Sequence, residues 1–342
     1  MFGDIIFSSL LHHYPLEMKG ALSMFFFESI PWYNVVMWFV VFGLLIGLNE
    51  IVRSSKKASI FMFMAVPIAL TPIWFFTADP EITSWFHWVK VYSALTGALI
   101  YMVIRFTDYH KIHPWYLMLV PGILALNIAE AVVREFQGGI MGFEGRVDGM
   151  YYISGGWNYV NAVAGILNLV LICGWVGIFA TSGKKKDMLW PDQTKLWIVA
   201  YGIWNIAYVY SCAPGNAFYS GFALNIAATV PALLWAKGTW MQNRAQTLTF
   251  WMMWVMTFPY FFAVGSTFNV SVSYNPAANW TIALLSLALN VVLAVWQVTR
   301  IVKYKLNPLK EELWKDTNEY KKINAMREDA ISEQETAASR VL

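Results

Sequence analysis

Long apolar segments separated by short charged ones are the feature of this sequence that most restricts its fold. A helix needs about 20 apolar residues to cross the roughly 30 Å hydrocarbon core of a bilayer. Lipid offers no hydrogen-bond partners to a backbone outside a helix or closed barrel. The chain has 342 residues, of which 58% are hydrophobic and only 13% charged, whereas about a quarter of a soluble domain is charged. The sequence therefore predicts an all-α fold, a polytopic membrane helical bundle.

Nine segments satisfy this length requirement and together define a transmembrane bundle over residues 33–302. The predicted spans are 33–53, 59–77, 85–105, 114–134, 157–181, 195–213, 216–236, 247–268 and 277–302.

Two segments flank the bundle. Residues 1–32 contain only short apolar runs, which predicts an outer interfacial segment. Residues 303–342 are densely charged and have no long apolar run, which predicts a charged cytoplasmic tail, with 309–326 as a helix along the membrane surface and the last fifteen or so residues disordered. A solvated tail is the simpler interpretation, and a tail that binds a partner is the alternative.

The basic residues predict the orientation of the bundle. When successive loops are assigned to alternate sides, all but four of the 24 Lys and Arg residues fall on one side. The exceptions are Lys19, Arg134 and Arg146 on the other side and Lys90 inside a span. Cytoplasmic loops carry such an excess, so we predict an N-terminus outside, a cytoplasmic C-terminus and a location in the cell (inner) membrane. The net charge of +3 is then explained by topology, and no nucleic-acid partner is expected.

Five spans each carry an asparagine near the midpoint. An amide at that depth must hydrogen-bond to protein, water or ligand because lipid offers it nothing. The pattern predicts either a polar binding seam through the bundle or hydrogen bonds that hold helices together. These residues are Asn127, Asn168, Asn205, Asn225 and Asn290.

The sixth predicted span shows a stripe of aromatic side chains around one of these amides. Tyr201, Trp204, Asn205 and Tyr208 follow one helical face. Such a face suits a neutral polar solute, an aromatic solute or a cation, and packing between helices is the alternative. Trp157, Asn158 and Asn161, at the start of the fifth predicted span, are expected to extend the same surface towards the outside.

Charged residues at the ends of spans suggest gates. Lys90 and Glu130 lie at similar depths on sequential antiparallel spans, so we expect them to pair, either as a structural ion pair or as an outer gating and coupling element. Glu50 is the corresponding candidate at the inner end, where Arg53 is its expected partner. Gly43 and Gly47 form a Gly-x-x-x-Gly pattern, which allows close helix contact within the bundle or across a homodimer.

The leading functional hypothesis is a transporter or channel for a small solute or ion, with no cofactor and no metal. Asp108, His110 and His113 lack a fourth ligand for a metal site, and there is no phosphate-binding loop. A membrane-embedded enzyme or lipid-handling protein that uses Glu130 or Glu50 as acid or base is the second hypothesis. A sensor or assembly subunit acting through the C-terminal tail is the third.

Overall fold

The fold is known from a computed structural model that describes residues 25–79, 82–142, 144–147, 150–261, 265–272 and 274–327. Most of the predicted interfacial segment 1–32 and the end of the tail lie outside the described residues. The helices are α1 (Trp32–Ser54), α2 (Lys56–Thr77), α3 (Trp85–Phe106), α4 (Tyr109–Ile112), α5 (Pro114–Met141), α6 (Gly156–Val170), α7 (Lys195–Cys212), α8 (Pro214–Leu234), α9 (Trp240–Thr257), α10 (Pro276–Tyr304) and α11 (318–327).

Two short antiparallel hairpins join the helices. One pairs β1 (Glu144–Val147) with β2 (Met150–Ile153), and the other pairs β3 (Phe179–Ala180) with β4 (Met188–Leu189). The structure is therefore a helical bundle with two small strand pairs in its loops.

Six of the helices within the described residues are long and apolar enough to cross a membrane, namely α1, α2, α3, α5, α8 and α10. The chain is thus a multi-pass helical membrane protein by length and composition. The apolar side chains of α1 and α2 face outward, since only 17% of each apolar window is buried inside the protein. Surfaces of this kind are stable where lipid is the solvent.

The three other predicted spans correspond to α6, α7 and α9. Helices α7 and α9 occupy the interior, whereas α6 has one buried face and one exposed face that includes Tyr159, Val163 and Ile166. Helix α6 has only 15 residues, whereas α7 and α9 have 18 residues each and are buried along most of their length. Helix α9 begins with a buried polar run, Gln242 to Gln246. Because neighbouring helices surround it, this helix does not need an apolar surface, and its polar side chains face the interior of the bundle.

The largest errors in the predicted boundaries are in two spans. The span 157–181 ends as a helix at Val170, and the chain then turns through Gly174, whose φ of 68° is in the left-handed region. The span 247–268 is instead the helix Trp240–Thr257, which stops before Pro259. Proline disfavours helical geometry in the preceding residue and lacks an N–H group.

The tail packs against the bundle as far as residue 327, so the solvated interpretation is wrong for this part. Leu313 and Trp314 are buried, and the Trp314 ring stacks on Trp296 at 3.8 Å. Asp192 accepts backbone hydrogen bonds from Leu313 (2.5 Å) and Trp314 (2.9 Å). Burial raises the pKa of Asp192 to about 6.

The two ends of the bundle differ in charge. Arg53, Arg105 and the lysines at 184–186 meet at one end, which we call the basic end. Residues 78–79, 82–84, 213–216 and 258–261 lie at the other, which we call the opposite end. The alternation of loops inferred from the sequence thus brings distant basic residues to one face.

Candidate functional site

A cavity of about 220 Å³ lies in the centre of the bundle, between α3, α5, α7, α8 and α9. Ile82, Gly215 and Pro259 line it, so it extends to the loops of the opposite end. Its deepest lining residues towards the basic end are Tyr101 and Met241. Most of the lining is apolar or aromatic, with a few polar groups that converge on it, as is usual for small-molecule sites.

The predicted stripe of α7 forms one wall of this cavity. Tyr201, Trp204, Asn205 and Tyr208 all line it and are buried. The Trp204 ring lies 5.4 Å from Tyr201 and is stacked on Tyr208 at 6.2 Å between centroids. The hydroxyl of Tyr208 has no hydrogen-bond partner among the described residues. The wall therefore presents flat aromatic rings to the cavity.

Arg244 is the functional candidate that the sequence reasoning missed. The apolar run that begins at Thr247 places Arg244 in a loop, but helix α9 starts seven residues before Thr247. Arg244 is 6% exposed and lines the cavity. The helical spacing in the sequence is a signal that could have found Arg244. Leu248, Trp251 and Val255 follow it at i+4, i+7 and i+11 and line the same cavity.

Lys90 and Glu130 form the expected ion pair, on α3 and α5. Lys90 Nζ lies 2.8 Å from Glu130 Oε2 and 3.3 Å from Asn127 Oδ1. Lys90 and Asn127 line the cavity. Glu130 is behind them, so its carboxylate compensates the ammonium charge at the cavity wall.

The other predicted asparagines do not line the cavity. The amide groups of Asn168 and Asn290 donate to the carbonyls of Ala164 (3.4 Å) and Ser286 (2.9 Å) on their own helices. Asn225 donates to Gly202 O across the α7–α8 contact at 2.9 Å. Only Asn127 and Asn205 of the five contribute to the cavity, because the others face neighbouring helices.

A polar network closes the bundle at the basic end and includes the predicted inner gate residue Glu50. Arg53 Nη2 and Nε lie 2.8 and 3.1 Å from the two carboxylate oxygens of Asp187, and Arg53 also donates to Glu50. Glu50 accepts further bonds from Lys185 and Trp235, each at 3.0 Å. Burial raises the pKa of Asp187, but the hydrogen bonds and charge of Arg53 outweigh it and hold that pKa below its ordinary value.

This network is close to the floor of the cavity. Gln242, the neighbour of the lining residue Met241, donates to Asp187 Oδ1 at 2.9 Å. Arg105 lies one turn beyond Tyr101 and donates to the carbonyls of Arg53 and Lys185, both at 2.8 Å. One helical turn of about 5.4 Å therefore separates the deepest cavity residues from a layer of charged side chains.

A second buried polar cluster surrounds Glu135, a residue that the sequence reasoning placed in a loop. Helix α5 continues to Met141, which leaves Glu135 fully buried. Asn158 and Asn161 donate to its carboxylate at 2.6 and 2.5 Å. Neither asparagine lines the cavity, although Asn161 contacts the stripe, since its backbone carbonyl accepts from Trp204 Nε1 at 3.1 Å.

Gly43 and Gly47 lie on an open face of α1 with respect to the residues that the structure describes. A Cβ added at either position would meet nothing within 4 Å. Within the described part of the chain, these glycines therefore do not bring α1 close to another helix of the same bundle.

Comparison with known proteins gives a family but no activity. Within the described residues, no group of three or more His, Cys, Asp or Glu side chains is arranged to hold a metal ion. Neither the curated proteins nor the solved structures contain a match to this chain. A family model does match residues 28–326, which is most of the sequence, and the chain therefore belongs to the family of unknown function DUF5692.

Proposed function

We propose that the protein is a membrane transporter for a small solute and that the central cavity is its substrate site. The carrying observation is the cavity itself: about 220 Å³ between five helices, with a largely apolar and aromatic lining that also includes Arg244, Asn205 and Asn127. Polar groups buried in a membrane protein face cavities and mark solute pathways more often than they face lipid. Movement would be passive or ion-coupled.

The arrangement of the two ends supports alternating access. The cavity extends to the loops of the opposite end, while the network around Arg53 and Asp187 lies between its floor and the basic end. In carriers, one side of a central site is closed while the other is open. The Glu50–Arg53–Asp187 network then acts as the closed gate, and the Lys90–Glu130 pair lies on the open side.

We further propose nine membrane crossings, with the N-terminus outside, the C-terminus in the cytoplasm and the protein in the cell membrane. The meeting of the basic loops at one end supports this topology, although Arg244 no longer belongs to that count. Helices α6, α7 and α9 would be the remaining three crossings, of which α7 and α9 are largely shielded from lipid by their neighbours.

A homodimer through α1 is proposed as the oligomeric state. The open surface at Gly43 and Gly47 supports it, since Gly-x-x-x-Gly surfaces allow close helix approach. Gly47→Leu should convert the dimer to a monomer in light-scattering measurements of the detergent-solubilised protein. A wild-type protein that is already monomeric would contradict this.

The alternative functions receive less support. Glu50 and Glu130, the carboxylates that an enzyme would use as acid or base, are each paired with cations. The tail that a sensor would present to a partner is packed on the bundle up to residue 327.

Transport can be tested without knowing the solute, by thiol labelling. Ser93 lines the cavity from α3, and both native cysteines are buried. In right-side-out and inverted vesicles, Ser93→Cys should react with a membrane-impermeant maleimide from both sides, because alternating access exposes the site to each side in turn.

The controls are the wild-type protein and Ala288→Cys, whose thiol would lie on the exposed surface of α10. Both should stay unlabelled. Labelling of Ser93→Cys from one side only, under every condition, would identify a receptor or sensor and contradict transport.

A further inference from the structure

The guanidinium of Arg244 is buried and has few partners. Nη2 donates to Asn205 Oδ1 at 3.2 Å, whereas Nε and Nη1 have no hydrogen-bond partner among the described residues. None of the ion pairs found there includes Arg244. Buried cations in proteins are normally paired, since an unpaired charge away from water is costly. Arg244 therefore has the character of a binding group.

The free donors of Arg244 include a fork. A guanidinium has five N–H donors in one plane, and Nη2 carries two of them. Whichever of these two bonds to Asn205, the other remains beside a free donor of either Nη1 or Nε. Two parallel N–H donors on adjacent nitrogens match the two oxygens of a carboxylate.

The charge around the cavity favours a ligand with one negative charge. Lys90 also lines the cavity, but the Glu130 carboxylate at 2.8 Å compensates it. His87 is the other basic side chain of the lining. Arg244 thus contributes one positive charge for which the wall offers no carboxylate, and a monoanion would complete the pair.

The size and lining of the cavity favour an anion with an apolar body over an inorganic ion. An apolar cavity of about 150 Å³ accommodates a benzene ring, and this one measures about 220 Å³. Trp204, Tyr201 and Trp251 present aromatic surfaces to it, which stack on planar rings in offset or edge-to-face arrangements. A ring with one carboxylate would use both the rings of the wall and the fork of Arg244.

We propose that the cavity binds a small monocarboxylate with an aromatic or similarly compact apolar body, and that Arg244 holds its carboxylate. This inference rests on the proposed role of the cavity as the substrate site. It names the substrate class of that site and assigns Arg244 as the residue that determines its charge preference.

Calorimetric titration of the full-length protein in detergent tests this proposal, with benzoate as the probe. Benzamide has nearly the same shape but no charge, and inorganic phosphate has charge but no apolar body. We expect benzoate to bind and to raise the melting temperature, and the other two to do neither.

Variants of Arg244 give the second arm of the test. Arg244→Gln should weaken benzoate binding by roughly 10- to 100-fold, the range for hydrogen bonds to a charged group. Arg244→Lys keeps the charge but loses the fork of two donors, so its benzoate affinity should lie between that of Arg244→Gln and that of the wild type. This variant also tests the role of Arg244 if Arg244→Gln does not fold. Arg300→Gln removes a cation that does not line the cavity and should bind as the wild type does.

Each contrary result is informative. No benzoate binding to the wild type, equal binding of benzamide, binding of phosphate alone, or unchanged affinity in both Arg244 variants would overturn the inference. The labelling of Ser93→Cys needs no ligand and is therefore independent. Labelling from both sides without benzoate binding would leave the transporter and remove its proposed substrate class. Benzoate binding with one-sided labelling would leave the anion site and remove transport.

Discussion

Arg244 Nη2 lies 3.2 Å from Asn205 Oδ1, and this hydrogen bond joins α9 to α7 within the cavity wall. The amide orients the guanidinium without neutralising it. The pair therefore combines a fixed position with a free positive charge, which is the combination that a preorganised anion site needs.

Replacing the Asn205 amide by a carboxylate should abolish anion binding in the cavity. In Asn205→Asp the new carboxylate would pair with Arg244 and compete with any bound anion, so benzoate affinity at neutral pH should fall roughly tenfold or more. Asn205→Ala leaves the cation unpaired and should keep benzoate binding. Calorimetry on the two variants checks this, and stronger loss in the alanine variant would show that the amide itself holds the ligand.

The Lys90–Glu130 pair should contribute to stability as a unit. Both side chains are less than a fifth exposed, and removing one partner of a buried pair costs about 3–5 kcal/mol. Glu130→Gln should therefore lower the melting temperature, and the exchanged pair Lys90→Glu with Glu130→Lys should restore much of it. If the pair also couples transport to protons or ions, Glu130→Gln changes the pH dependence of flux in vesicles. An unchanged dependence would leave the pair a purely structural role.

Asp187 should make the protein sensitive to acid. Because its pKa is lowered in the folded protein, its contribution to stability is present at neutral pH. That contribution is lost as the pH falls below about 3.9, the ordinary aspartate value, through the lowered pKa. Asp187→Asn should lower the free energy of unfolding at neutral pH by about 3–5 kcal/mol. In detergent, the stability of this variant should also depend less on pH in the acid range.

The matched control for Asp187 is Asp108→Asn. Asp108 forms an exposed pair with Lys111 at 2.8 Å, and such surface pairs contribute little. An equal effect of the two substitutions would mean that the network at the basic end is not a stabilising gate.

Replacing the Glu135 carboxylate by the corresponding amide should destabilise the protein. Asn161 Oδ1 accepts from Ser286 Oγ at 2.8 Å, and Asn158 Oδ1 accepts from Gly155 N at 2.8 Å. These bonds direct both Nδ2 groups at Glu135, which must therefore present two acceptor oxygens. Glu135→Gln would place one amide donor against another, with an expected cost of about 1–3 kcal/mol.

Thermal unfolding of Glu135→Gln checks this prediction. Ser211→Ala is the control, since Ser211 Oγ contacts the carboxylate only at 3.4–3.5 Å. A Glu135→Gln variant as stable as the wild type would show that the cluster rearranges freely.

The sequence was informative wherever lipid contact constrains it. Helices α1, α2, α3 and α10 lie within a few residues of their predicted spans, because a lipid-facing helix must be apolar over its whole length. The similar depths of Lys90 and Glu130 in the sequence predicted their ion pair correctly, because sequential antiparallel helices joined by a short connection pack together.

Predictions failed where protein replaces lipid as the neighbour. The predicted spans 114–134 and 247–268 leave Glu135 and Arg244 in loops, because a charged residue indicates the end of an apolar span. Both residues are buried in helices. The five asparagines looked equivalent along the chain, but only two of them face the cavity. Hydropathy cannot distinguish a polar side chain that leaves the membrane from one that meets a partner inside it.

The sequence by itself therefore determined the class of this protein: a helical membrane bundle with its basic loops at one end, because bilayer thickness and the hydrogen-bonding needs of the backbone act on each segment separately. Tertiary structure alone decided which helices are central, where the cavity lies and that Arg244 keeps an unpaired charge. Those properties depend on which side chains from distant segments meet. No local periodicity encodes such meetings, since they are set by the packing of whole helices against one another.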